Sequence, residues 1–348
     1  MKEILFRLVK AAGGFALARG RTQRDLRILA YHGVWTTPGF QYGDRLFIPP
    51  QQFEQRMAWL KRSRYPVLPL GEALARLATQ TLPDNAVVIT IDDGWRSTYT
   101  HMLPVLESLG LPATAYVTTW YVVNRAPVLN VALNYVLQRA PNKRFEWESP
   151  VAGRLAVDLS SEAARERALS ALGAALDQLP SLDDRLREFR EICRLAAVPT
   201  EPWWSEGQFH LMTFAELRDA SARGLDIQLH THRHRNVANQ NFVLGRELAD
   251  NRAVLSEACA GGAELGHFCY PSGIVDRRAA AVLAAAGIRS AATCEIGLNP
   301  PSTDPYALRR FLDGRSVGPT GFEAYLSGAS DMLDKARALL PRFARRPG

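Results

Sequence analysis

Cysteine is scarce in this chain: four residues in 348, at positions 193, 259, 269 and 294, with no paired spacing. That excludes a disulfide scaffold and reads as the reduced thiols of a cytoplasmic protein. Long apolar runs are missing too. No stretch reaches the ~20 residues of a membrane span, and only Ala11 to Ala18 approaches the ~7–15 apolar residues of a secretory leader. No nucleic-acid recognition motif is present, and the basic residues are scattered rather than clustered. What remains is a globular chain, 47% hydrophobic with a net charge of +7. Its length suits one barrel domain carrying an insertion, and its charge favours an anionic partner, whether membrane surface, acidic glycan or nucleic acid.

Histidine is also sparse, yet three of the seven fall within five residues, His230-Thr231-His232-Arg233-His234. They follow Leu225-Asp226-Ile227-Gln228-Leu229, which reads as a strand. The four-residue spacing of His230 and His234 can bring two imidazoles onto one cation; a basic, solvated loop is the alternative. A second strand pattern, Val87-Val88-Ile89-Thr90-Ile91, runs into Asp92-Asp93-Gly94. Strand C-terminal edges are where α/β folds assemble their sites. Adjacent strand side chains point to opposite faces, so the two aspartates need not share a role; Asp-Asp-Gly alone is also an ordinary turn. One carboxylate with two histidines suits zinc or another divalent first-row metal in hydrolysis.

These stretches resemble the polysaccharide deacetylases of carbohydrate esterase family four, the NodB homology domain. Its Thr-Phe-Asp-Asp-Gly motif is matched by Thr90 to Gly94, its His-(Ser/Thr)-x-x-His motif by His230 to His234, and its aromatic-Pro-x-Gly motif by Tyr270-Pro271-Ser272-Gly273. The resemblance implies an α/β fold, a distorted, incomplete (β/α)7-type barrel, here with a helical insertion. It implies Asp93, His230 and His234 as metal ligands, zinc first with cobalt, nickel or iron as alternatives. Asp92 becomes the base and the Ser272 backbone N–H an oxyanion donor. Tyr31-His32 resembles the start of exopolysaccharide deacetylases whose motif order is circularly permuted. In those relatives this histidine supplies the general acid in place of a C-terminal Leu-x-His motif, which this chain lacks after its third motif; a structural histidine is the alternative. Histidine ordinarily changes charge near neutral pH, which suits protonating a leaving amine. The family's third-motif arginine falls at Cys269; Arg310, in Leu308-Arg309-Arg310-Phe311, is the candidate substitute for positioning the catalytic aspartate, with a surface ion pair as the alternative.

Strand patterns at 27–34, 65–68, 87–91, 113–117, 225–230, 266–270 and 288–294 alternate with helical ones, as in a parallel sheet or barrel. The expected organisation is an amphipathic helix at 1–26, a barrel at 27–120 and 207–320, an insertion at 121–206, and a C-terminal helix with a basic tail at 321–348. Helices are expected in the insertion at 132–139, 161–179 and 183–197. Trp147, Trp203 and Trp204 are expected in core packing, with sugar stacking or lipid contact as the alternatives. Such an insertion would lid the site. Residues 1–26, with Ile4, Leu5, Leu8 and Val9 on one face, read equally as a helix on an anionic membrane or one packed on the barrel's closed end; a cryptic leader is a third reading.

The function expected is metal-dependent de-N-acetylation of an amino sugar in a bacterial polysaccharide or its lipid-linked precursor. The expected location is the cytoplasm, peripheral on the inner membrane, with the periplasm second. A deformylase of a lipid-linked amino sugar and a non-catalytic glycan-binding protein are the alternatives.

Overall fold

A computed structural model describes residues 2–39, 41–43, 46–63, 65–235, 237, 243–259, 264–275 and 278–339. The basic tail, with Arg342, Arg345 and Arg346, lies outside them. The strands are β1 (Arg27–Tyr31), β2 (Gly33–Val34), β3 (Phe47–Ile48), β4 (Val87–Ile91), β5 (Thr114–Val117), β6 (Arg144–Ser149), β7 (Gly153–Asp158), β8 (Asp226–Leu229), β9 (His267–Cys269), β10 (Ser290–Ala292) and β11 (Phe311–Leu312). The helices are α1 (Lys2–Ala11), α2 (Gly14–Arg21), α3 (Pro50–Arg62), α4 (Leu70–Ala78), α5 (Leu103–Leu109), α6 (Trp120–Asn124), α7 (Leu129–Arg139), α8 (Glu162–Asp177), α9 (Leu182–Leu195), α10 (Phe214–Ala222), α11 (Leu244–Ala258), α12 (Ala279–Ala285), α13 (Pro319–Leu326) and α14 (Ala329–Leu339).

Seven parallel strands form the central sheet in the order β10-β9-β8-β5-β4-β1-β11. It nearly closes on itself. Leu308 bridges to Ala292 on one edge, and three residues later Phe311 pairs with Leu29 on the other side. Both faces are buried, which is why the strands read as continuous apolar runs. Ile28, Val88, Tyr116, Cys269 and Ala292 line one face and meet Leu70, Ala73 and Leu77 of α4, which plug that side. The alternate residues, such as Leu29, Ile89, Val117 and Phe268, belong to the larger core under the surrounding helices. This is the expected incomplete barrel of α/β type.

Two expectations need correction. Tyr65–Leu68 is not a strand; Val67 makes one bridge to Val87, because Pro66 and Pro69 lack the N–H that a ladder requires. The seventh strand is β11 instead. The insertion is not purely helical either: α7, α8 and α9 fall where expected, but β6 and β7 pair as an antiparallel hairpin. Its signal was present as the alternation Phe145-Glu146-Trp147-Glu148-Ser149, with Trp147 and Ser149 buried. The insertion shares its core with the barrel, since Tyr135, Trp147, Leu172 and Phe189 join Trp35, Phe47 and Phe209 in one buried cluster. Trp147 and Trp203 are therefore packing residues, both buried.

The N-terminal helices pack on α13 and α14. Glu3 accepts from the Thr320 N–H at 3.1 Å, Lys10 pairs with Glu323, and Phe15 and Ala18 meet Ala324 and Ala329. The apolar stripe of α1 is split: Val9 turns inward beside Phe6, which lies off the stripe, while Ile4 and Leu8 are exposed. None of the described helices is long and apolar enough to cross a membrane.

Candidate metal centre

The alternation that fills the barrel interior also delivers the site. Ile28 and Val88 face inward, so His32 and Asp92, four residues on, continue the same parity past the ends of β1 and β4. The in-register pairing of Tyr31 with Ile91 brings those two residues to one level of the edge. Asp93 should face the other way. Instead its φ of 70° breaks the strand into a left-handed turn, and both carboxylates enter the same space. The next residue must be glycine, since Gly94 has φ 87° and a Cβ there would stand 2.9 Å from a Val117 methyl.

Asp93 Oδ1 lies 3.2 Å from Nε2 of His230 and 3.2 Å from Nε2 of His234. The three donor atoms lie within 4.8 Å of one another. His230 Nδ1–H donates to the Cys269 carbonyl at 2.7 Å, which orients the ring and leaves Nε2 with its lone pair toward Asp93. The Trp95 indole N–H donates to Asp93 Oδ2 at 2.8 Å. Burial opposes ionisation of Asp93, but His234 and His230 hold its carboxyl well below the usual range. An ionised carboxylate and two imidazoles, one with its tautomer set by a backbone acceptor, form a donor set that fits a divalent first-row metal. His230 is buried whereas the His234 side chain is 33% exposed, so the site opens on the His234 side.

Asp92 has different partners. Arg310, wholly buried, donates to both of its oxygens at 2.7 Å and also reaches Thr90 Oγ1, the Thr293 carbonyl and Cys269 Sγ. Burial alone would raise the Asp92 carboxyl; Arg310, with His32 and His230, brings it below its ordinary value. The surface-ion-pair reading of Arg310 is thereby excluded by its burial. Cys269 fills the position of the family arginine with a thiol that burial pushes far up, and its Sγ lies 3.6 Å from Asp92 Oδ2. His32 Nε2 stands 3.9 Å from the same oxygen, and its Nδ1 has no partner among the described residues. Ser272 follows β9 in a tight turn with φ 58°. Gly273 closes it, where a Cβ would stand 2.4 Å from that of Cys294.

One supporting residue escaped the sequence reading. Asn251, fully buried, accepts from the His230 N–H at 2.9 Å and donates to the Val117 carbonyl and Thr119 Oγ1. Its signal was a polar residue on the apolar stripe Leu244, Leu248, Asn251, Leu255 of α11. Glu247, one turn earlier, accepts from both the backbone and the side chain of Arg233 and so pins the loop between the two histidines.

A half-barrel of parallel strands with an Asp-His-His cluster at its C-terminal edge defines the polysaccharide deacetylase type of fold. The polysaccharide deacetylase family model matches residues 79–142 and 202–291, and so spans Asp92, Asp93, His230, His234 and Ser272 while leaving a gap over 143–201. YxkH of Bacillus subtilis is 35% identical over 92 residues, 26% of this chain and 31% of that one. A poly-beta-1,6-N-acetyl-D-glucosamine N-deacetylase of Escherichia coli is 35% identical over 68 residues, 19% of this chain and 10% of that one. The chain thus spans under a third of the curated relatives it matches. Among solved structures, the Streptococcus pyogenes deacetylase PplD superposes with a TM-score of 0.57 at 15% identity, over 87% of this chain and 98% of that one. IcaB from Ammonifex degensii gives 0.54 at 19%, over 87% and 97%. At such identities the likeness is one of fold. The chain carries the polysaccharide deacetylase homology region read from its motifs.

Proposed function

We propose that this chain hydrolyses the N-acetyl group of an amino sugar in a bacterial polysaccharide or its lipid-linked precursor. The observation that carries the proposal is the convergence of Asp93, His230 and His234 beside a separate, arginine-held Asp92. The names of the relatives, N-deacetylase among them, support the same reaction.

Amide hydrolysis needs an activated water, a polarised carbonyl and a protonated leaving nitrogen. Asp93, His230 and His234 would hold a divalent ion, zinc by preference, which when bound lowers the pKa of water and polarises the acyl carbonyl. Asp92, kept ionised by Arg310, takes the proton of the attacking water. Arg310 fixes the plane of that carboxylate through two parallel hydrogen bonds. The Ser272 N–H is the proposed oxyanion donor. His32, at the open edge beside Asp92, gives its proton to the departing amine; the bond broken is acyl C–N, and acetate and the free amine leave.

The exposed Ile4 and Leu8, with the exposed Arg7 between them, support peripheral contact with an anionic membrane. The four unpaired cysteines support its cytoplasmic face.

The test is elemental analysis beside acetate release from N-acetylglucosamine oligomers and from a polyprenyl-linked N-acetyl sugar. Near-stoichiometric metal, lost in both Asp93→Ala and His230→Ala together with acetate release, supports the proposal. Formate release from a formylated analogue instead would assign deformylation. Saccharide binding with no metal and no turnover would leave a glycan-binding protein.

A further inference from the structure

A cleft of about 510 Å³ adjoins the metal centre, and three arginines line it. Two of them, Arg233 and Arg235, flank the ligand His234. Arg185 of α9 in the insertion lines it too, as do Trp120 and Tyr121 of α6, whose rings meet edge to face at 5.1 Å. The cleft is tied to the site, since the Trp120 and Thr119 N–H groups both donate to the His232 carbonyl, midway between the two histidine ligands. Tyr121 registers the same proximity. Burial, then Asp177 and Asp93, raise its phenol, while Arg185 and Arg235 pull it down.

The three guanidiniums are unequally engaged. Arg233 is held by Glu247 at 2.8 Å and Asp250 at 3.2 Å. Arg185 spends Nε and Nη2 on the Leu179 and Asp177 carbonyls that end α8, leaving Nη1 4.0 Å from the Asp177 carboxylate. Arg235 is exposed and has no ion pair among the described residues. Among the described residues Asp177 is the one carboxylate lining the cleft. With Arg233 balanced by Glu247 and Asp250 and Arg185 beside Asp177, the charge left without a counter-ion there is that of Arg235. Guanidinium groups recognise carboxylate and phosphoryl oxygens by paired hydrogen bonds.

We propose that this cleft is a subsite for an anionic group that the substrate carries next to its N-acyl sugar, a uronate carboxylate or a phosphoryl group. The inference rests on the deacetylase reading for the word substrate, but the anion site stands on the cleft itself. It gives the insertion a part in substrate choice, because Arg185 is reached only through α9.

The test compares three probes at low ionic strength: chitotetraose, which is neutral; a hyaluronan tetrasaccharide, which carries carboxylates; and a polyprenyl diphosphate-linked N-acetylglucosamine in detergent. Binding is measured by calorimetry and acetate release by kinetics, in the wild type and in Arg185→Gln, Arg235→Gln and the double variant. One charged probe should bind at least ~10-fold more tightly than chitotetraose, and the double variant should erase that advantage with kcat on chitotetraose unchanged. Whichever charged probe responds identifies the source of the anion. Arg235→Gln, a surface change, keeps the test valid if Arg185→Gln loosens α8. Absent turnover with charged-probe binding intact removes the deacetylase reading and leaves the subsite. Equal binding of all three probes, or equal losses for neutral and charged probes in the variants, overturns the subsite.

Discussion

Arg310→Met isolates the bond between the proposed base and its cation. In the native protein Arg310 donates twice to Asp92 at 2.7 Å, and both side chains are buried. The variant keeps volume and removes the charge, so buried Asp92 loses the cation that holds both of its oxygens. Breaking a buried pair in this way costs about 3–5 kcal/mol. The pH dependence has a definite sign. With its folded pKa lowered, Asp92 contributes stability that is present above its unfolded value, ~3.9, and is lost as pH falls through the folded one. Without Arg310, burial raises the carboxyl above that unfolded value, and ionising it then opposes folding. The deficit of the variant relative to wild type should therefore be larger at pH 8 than at pH 5. The assay is urea denaturation of chelator-treated protein, so that no bound ion compensates, run as a cycle with Asp92→Asn and the double variant. The double variant should cost less than the sum of the singles by about 2 kcal/mol or more, because it leaves no buried charge unpaired. Additivity within ~0.5 kcal/mol, or a deficit independent of pH, would refute the reasoning.

Asp92→Asn should abolish acetate release while elemental analysis still finds a full complement of metal, since its amide keeps the shape and Asp93 keeps the ligands; metal loss in that variant would reassign Asp92. His32→Gln should lower kcat on N-acetyl sugars by about 10²–10⁴-fold but spare an aryl acetate, whose phenolate leaves unprotonated; equal losses on both substrates would remove His32 from the role of acid. Phe189→Ala, fully buried in the core that the insertion shares with the barrel, should lower stability by about 3–5 kcal/mol in one cooperative transition. Two separate transitions would show that the insertion folds as an independent unit.

Much of the site was legible along the chain because local spacing is set by the backbone itself. A β-branched run ending in Asp-Asp-Gly, and a second strand ending in two histidines four apart, are each contained within about ten residues, so the period of a strand and the turn after it suffice to foretell them. The interior parity of Asp92 and His230 follows from the same alternation. The turn at Asp93 does not, because its φ of 70° departs from the strand period, just before the Gly94 that packs against Val117. The hairpin of the insertion was readable in Phe145 to Ser149, whereas Tyr65–Leu68 stops at one bridge because Pro66 has no N–H to extend the ladder.

Partnerships across the fold are another matter. Asp92 and Arg310 stand 218 positions apart, and nothing local could decide whether that arginine faced solvent or a carboxylate. The sheet order decided it: β1 lies between β4 and β11, and the near-closed seam at Leu308 to Phe311 points Arg310 along the interior toward β4. Asn251 behind His230, Cys269 beside Asp92, and three arginines from two distant segments around one cleft are likewise products of packing. The sequence by itself determined which strands end in acid and imidazole, because short-range geometry needs no partner. Tertiary structure alone decided which distant charge each of those groups would meet, because that depends on the order in which strands lie side by side.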